Sequence, residues 1–286
     1  MKKLNVLIVG ANGYIGSKLI NKLKTTTINW VGIDSLLRSD NNTQTLKIYS
    51  ENTYQNLKNL FLDEFTDCIW LAGHSSVSMS INDEYGALRN NLFDLINFTN
   101  IFRGRLIYAS SGSVYSRINA EFSNEESSLF AATNIYDYTK ICFDNYIKAS
   151  NKKNAIGLRF GTVNGGSDRF REELIINSMT QSAVKNGCLW VSNGSAKRSI
   201  LFIDDLVNAV IRILESNINA GIYNLCSFNS SILEIANNIS DHFKSELILK
   251  PDTSTYNFMM NSKLFKETFD FEFTGDLPSV IASIKI

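Results

Sequence analysis

The chain has 286 residues, 44% of them in the hydrophobic set, enough to bury the core of one large domain or of a main domain with a fused lobe. Lys plus Arg and Asp plus Glu each number 28, and the resulting zero net charge argues against a protein that wraps nucleic acid. No apolar run approaches the roughly 20 residues needed to insert across a membrane, and two histidines with no CxxC pair argue against a metal site.

In chain order, Leu4–Val9 is a short continuous apolar run, suited to a parallel strand buried on both faces. Gly10-Ala11-Asn12-Gly13 breaks it. Tyr14–Leu23 places Ile15, Leu19, Ile20 and Leu23 near one face and predicts a helix. Asn29–Asp34 reads as a second strand ending in an acid. A third lies within Asp63–Ala72 as DCIWLA, and Leu88–Phe98 predicts an amphipathic helix. Arg105–Ser110 is a strand, Ile135–Ala149 a helix and Ala155–Phe160 a strand. This rhythm predicts an α/β fold with a Rossmann-type, doubly wound parallel sheet.

After Gly165 the rhythm loosens. Phe170–Lys185 predicts a helix and Cys188–Val191 a short strand. Asp204–Leu214 predicts a helix with an acidic start, Gly221–Cys226 a strand, and Ser231–Ser240 a helix opened by a serine cap. The tail from Lys250 reads as small mixed structure. Residues 1–165 are expected to form the dinucleotide-binding Rossmann domain. Residues 166–286 are expected to form mainly a small C-terminal substrate-binding lobe, with a stretch near 200–230 returning to the first domain. Cys68, Cys142, Cys188 and Cys226 read as free thiols. The N-terminal apolar run is too short for a signal peptide, so a cytoplasmic location is expected.

VLIVGANGYIG carries three glycines between strand and helix. Gly10 suits the tight turn, Gly13 the approach of a pyrophosphate, and Gly16 the packing of helix on strand. Phosphates would meet the open N–H groups of the helix start. That places Asn12, Tyr14 and Ile15 at the cofactor as well. Asp34 suits the adenosine ribose hydroxyls and repels a 2′-phosphate, favouring NAD over NADP. Arg38, four residues on, would soften that preference.

Tyr136-Asp137-Tyr138-Thr139-Lys140 contains YxxxK, which on a helix puts Tyr136 and Lys140 on one face. A neighbouring ammonium stabilises a phenolate. Ser110-Ser111-Gly112-Ser113 follows a predicted strand, where ligands of a doubly wound sheet lie.

The ordered set GANGYIG, Asp34, LAGHSSV (71–77), Asn91, LIYASSGSVY, YDYTK, LRFGTVNG, KRSILFIDD and GIYNLCS resembles the NAD-dependent epimerase/dehydratase family. These are extended short-chain dehydrogenases that act on nucleotide sugars, and the resemblance runs from Leu4 to about Phe273. It implies that Tyr136 is the catalytic acid/base, Lys140 its partner and Ser111 the third catalytic hydroxyl. It places Leu71, Ala72, Gly73 and Asn91 at the cofactor. It places Ser76, Ser113, Thr162, Arg169, Arg171 and Arg198 at the nucleotide-sugar substrate, and it implies a possible homodimer. His74, beside Gly73, reads as a loop residue with a local bond. The Asp-Glu pair that dehydratases of this family carry after the catalytic Thr is replaced by Gly112 and Ser113, which argues against dehydration. The reading is an NAD-dependent epimerase of a nucleotide-linked hexose, acting at C4 through a 4-keto intermediate. The alternatives are an NAD(P)H-dependent 4-keto-sugar reductase and a dinucleotide-binding protein without catalysis.

Overall fold

The computed structural model describes residues 4–34, 46–48, 57, 61–116, 122–127, 132–253 and 255–285, with 46–48 as backbone only. Arg38 lies outside the described residues. Among those residues no helix is long and apolar enough to cross a membrane.

A seven-stranded sheet forms the centre. Its strands are β1 (Asn5–Val9), β2 (Asn29–Asp34), β3 (Leu46–Ile48), β4 (Asp67–Trp70), β5 (Arg105–Ser111), β6 (Ala155–Phe160) and β10 (Gly221–Leu225). Their order is β10-β6-β5-β4-β1-β2-β3, and every pairing is parallel. Order reverses between β1 and β4, the crevice in which ligands bind in such sheets. Two apolar layers cover its faces. One packs Tyr14, Leu19, Ile20 and Leu23 with Leu206, Val210 and Ile213. The other packs Leu92, Leu95 and Phe98 with Phe143 and Ile147.

The helices Tyr14–Leu23 and Ile135–Ala149 and the strands Asn29–Asp34, Ala155–Phe160 and Cys188–Val191 have the predicted bounds. Ile15, expected on the buried face, is only partly buried and lines a cleft instead. The predicted helix Leu88–Phe98 is longer and irregular. It runs as Glu84–Leu88, loosens into a π turn at Arg89–Phe93 and resumes at Asp94–Ile101. The π turn brings Asn91 inward, where it is buried. The predicted helix Phe170–Lys185 begins only at Ile175. Residues before it are held as loop, and the Asn164 side chain accepts the Ile176 N–H. The helix Ile232–Phe243 starts on a complete capping box of Ser231 and Glu234.

Chain beyond Gly165 contributes β10 to the main sheet, and helix Ile203–Glu215 packs on its face. A three-stranded sheet joins β7 (Thr162–Asn164), β9 (Lys197–Phe202) and β11 (Phe228–Ser231). A third apolar cluster unites helices Ile175–Asn186, Ile232–Phe243 and Leu277–Ser283 with β8 (Cys188–Val191).

Behind the ends of β5 and β6 lies a buried polar knot. Arg159 and Asp144 are fully buried and pair at 2.8 Å. Arg159 also donates to the Tyr115 hydroxyl at 2.6 Å, while Tyr108 and Ser110 donate to Asp144 at 3.0 and 3.1 Å. Arg159→Met is expected to strand the Asp144 carboxylate and cost about 3–5 kcal/mol. Urea unfolding measures this, and a loss below about 1 kcal/mol contradicts it.

Candidate active site

The glycine loop follows β1. Gly10 sits at φ +89°, where a Cβ would fall 2.6 Å from Ala72 N. At Gly16 a Cβ would fall 2.2 Å from Gly10 O, so helix and loop close only around glycine. The helix opens at Gly13 with no side-chain cap and no acid in its first turn, leaving its first amides open to an anion. Asp34 accepts the Asn12 N–H at 2.8 Å and faces the same pocket. That pocket is lined by Gly10, Asn12, Gly13, Tyr14, Ile15, Gly16, Asp34, Leu71, Ala72 and Gly73. Ser75 and Met79 also line it and were not legible as cofactor-facing.

Asn91, expected at the cofactor, acts at one remove, and Tyr14 lines the pocket while its hydroxyl is spent elsewhere. Asn91 accepts the His74 N–H at 2.8 Å and donates to the His74 carbonyl at 3.0 Å, so it clamps the loop from behind. Tyr14 donates its hydroxyl to Gly165 O at 2.7 Å, tying the glycine loop to the second half of the chain. His74 has local partners, Asp83 at 3.0 Å and Asn90 at 3.4 Å.

A larger cleft of about 420 Å³ shares Tyr14, Ile15, Leu71, Ala72 and Gly73 with the first pocket. Ser111, Ser113, Tyr136 and Lys140 line it together. Ser111 comes from the end of β5, and Tyr136 and Lys140 from helix Ile135–Ala149, whose N-cap Asn134 accepts the Asp137 N–H at 2.9 Å. Lys140 donates to Ala109 O at 2.9 Å, with its ammonium 5.6 Å from the Tyr136 ring centroid. Burial pulls the Lys140 ammonium down to about 8, against a weaker upward pull from Asp144. Burial holds the Tyr136 phenol up. The Ser111 hydrogen bond draws it back, Asp137 raises it and Arg171 lowers it.

The residues expected at the substrate are divided. Ser76, Ser111, Ser113, Thr162, Arg171 and Arg198 line the cleft. Ser76 also caps helix Val77–Asn82 by accepting the Met79 N–H. Arg169 is not on this wall: it donates to the Asn12 side chain at 3.1 Å, at the dinucleotide loop. Arg171 pairs with Glu173 at 2.8 Å and borders both pockets. Arg198 donates to Lys197 O and to the Thr255 hydroxyl, and burial lowers its guanidinium to about 10. Tyr256 and Phe258 complete the wall from the tail. Nothing periodic in that tail marks them. Trp190 is half exposed under the Lys250 ammonium.

The model of the NAD dependent epimerase/dehydratase family matches residues 6–226. The chain belongs to this family. A relative from Brachyspira hyodysenteriae, an ADP-L-glycero-D-manno-heptose-6-epimerase, is 28% identical over 276 residues, covering 86% of this chain and 85% of its own. UDP-glucose 4-epimerase from Thermotoga maritima superposes with a TM-score of 0.85 at 17% identity, over 97% of this chain and 96% of its own. ADP-L-glycero-D-manno-heptose-6-epimerase from Helicobacter pylori superposes with a TM-score of 0.84 at 20% identity, over 99% and 95%.

The residues present fit the family's cofactor. The glycine cradle, the open helix start and Asp34, which would accept from the ribose hydroxyls, are the donor and acceptor set that NAD needs. The cofactor's redox end would then reach the second pocket, where Tyr136 and Lys140 stand. The chain is therefore an NAD-dependent enzyme of the epimerase/dehydratase family.

Proposed function

We propose that this protein epimerises a nucleotide-linked hexose at C4 through a 4-keto intermediate. The observation that carries the reading is the convergence of Ser111, Tyr136 and Lys140 on one cleft continuous with the dinucleotide pocket. Bound NAD supplies the hydride acceptor and donor. Tyr136, as phenolate, takes the proton of the sugar hydroxyl and later returns it. Ser111 holds the reacting oxygen, and the Lys140 ammonium stabilises the phenolate. Arg198, whose charge meets a hydroxyl and a carbonyl rather than a carboxylate, suits the nucleotide phosphates. Asp34 supports NAD over NADP. The cleft wall offers no carboxylate at Gly112 or Ser113, which weighs against expulsion of water from the sugar. Similarity to the Brachyspira hyodysenteriae enzyme favours a second reading, inversion at C6 of a nucleotide-linked heptose.

Purified protein, with no cofactor added, is expected to carry NAD and to interconvert a nucleotide hexose with its C4 epimer. Proton NMR of the sugar identifies the carbon inverted. Inversion at C6 replaces the C4 assignment with the second reading. Consumption of added NADH by a 4-keto sugar, without epimer formation, makes the protein a reductase instead.

A further inference from the structure

Part of the dinucleotide pocket is walled by the second half of the chain. The loop that runs from Gly165 to helix Ile175–Asn186 is tied to the glycine loop and its helix at successive residues. Gly165 O accepts the Tyr14 hydroxyl at 2.7 Å. The Ser167 hydroxyl donates to Tyr14 O at 2.7 Å and lies 3.0 Å from the Ser17 hydroxyl. Asp168 accepts from Asn21 Nδ2 at 2.7 Å, and Arg169 Nε donates to Asn12 at 3.1 Å. At the other end Asn177 Nδ2 holds Arg171 O at 2.9 Å.

This loop carries Arg171 to the boundary of the two pockets, both of which it lines. Among the described residues that line the dinucleotide pocket, Arg171 is the one cation and Asp34 the one acid. The pyrophosphate of a dinucleotide is doubly anionic. The open amides after Gly13 offer it only partial charges. A guanidinium adds a full charge and paired donors that match phosphate oxygens. Arg171 turns two such donors, Nε and Nη2, on a single oxygen of Glu173, each at 2.8 Å. The Arg171 side chain is 14% exposed and that of Glu173 60%. Water reaches most of that carboxylate and weakens the pair. A dianion walled in by protein is screened less and is the stronger partner.

We propose that Arg171 is a clasp for the cofactor, its guanidinium passing from Glu173 to the pyrophosphate when the dinucleotide binds. The cofactor is then gripped from both halves of the chain. Such a grip suits a reaction in which one bound cofactor takes up a hydride and gives it back. It also divides the two arginines of the cleft. Arg198 serves the sugar nucleotide, and Arg171 serves the cofactor. The inference rests on NAD as the cofactor, not on which carbon is inverted.

Arg171→Met is expected to raise the Kd for NAD about 10- to 100-fold, read by equilibrium dialysis of the purified protein. ADP, used to displace NAD, should weaken by a similar factor. Adenosine, which has no phosphate, should hold within about twofold. Arg171→Lys keeps the charge without the fork and should lose less than Arg171→Met. Glu173→Gln removes the competing carboxylate and should bind NAD about two- to fivefold more tightly. Wild-type NAD affinity in Arg171→Met overturns the clasp. So does an equal loss of adenosine affinity, which makes Arg171 a support for the loop and not a phosphate ligand. NAD binding by Glu173→Gln that is no tighter than wild type overturns the exchange of partners. That variant leaves Arg171 in place, so it decides even where Arg171→Met does not fold. None of these readings needs turnover. Protein inert on every nucleotide hexose therefore overturns the proposed function, while the affinities alone decide the clasp.

Discussion

Tyr136→Phe is expected to reduce turnover by about 10²- to 10⁴-fold, the range that positioned acid/base groups contribute. The substitution removes one oxygen and little else. The aromatic ring stays at the head of helix Ile135–Ala149, and the Lys140 ammonium keeps its place near the ring face. The Lys140 bond to Ala109 O does not involve the phenol. Substrate binding should therefore hold, with KM within about twofold. The cofactor pocket is built from the glycine loop, Asp34 and residues 71–73, so NAD content after purification should also hold. Stability should change little, because the phenol is a partly buried group whose ionisation burial already opposes. The decisive pattern is loss of kcat with retained NAD and retained unfolding midpoint. Full turnover in this variant removes Tyr136 from the chemistry. Loss of NAD along with activity assigns it to cofactor binding instead.

The nucleotide half of this site was legible because its constraints are local. A strand buried on both faces must be apolar, a turn at φ +89° must be glycine, and Gly10 and Gly16 sit in the sequence where these demands fall. Tyr136 and Lys140 were legible for a similar reason, since four residues along a helix is one face. Asp137 was not. One residue on from Tyr136 points to a different face, and a carboxylate there reads as a wet position. Only tertiary structure shows Ser113 and Tyr256 closing over it. No strand is predicted over Lys197–Phe202, which opens on two charges, yet pairing with β7 and β11 makes β9 the middle of a sheet. The π turn at Arg89–Phe93 is equally silent in sequence, because what holds Asn91 inward is the His74 backbone on another segment. Arg169 was displaced from its expected wall by the same kind of long-range bond, to Asn12.

Lys140→Met is expected to abolish turnover while making the protein more stable at neutral pH. The stem keeps its packing, but the charge is gone. In the folded chain the ammonium titrates near 8, against 10.5 for an ordinary lysine. Below about 8 both folded and unfolded chains hold the proton, and the folded state bears the cost of burying the charge. Between about 8 and 10.5 the unfolded chain binds a proton that the folded chain releases, so wild-type stability rises with pH across that window. The difference corresponds to about 3 kcal/mol at pH 7. Loss of the bond to Ala109 O offsets roughly 1 kcal/mol of it. The net gain for Met is therefore about 1–2 kcal/mol at pH 7, shrinking toward zero or reversing near pH 10 once the wild-type amine is neutral. Urea unfolding of both proteins at the two pH values tests this directly. A Met variant that is less stable at pH 7, with the same pH slope as wild type, means that the buried ammonium is not held at a cost. The expected outcome is the opposite. A cation kept beside Tyr136 against its own desolvation destabilises the empty fold, and that is the condition under which it stabilises a phenolate in the cleft.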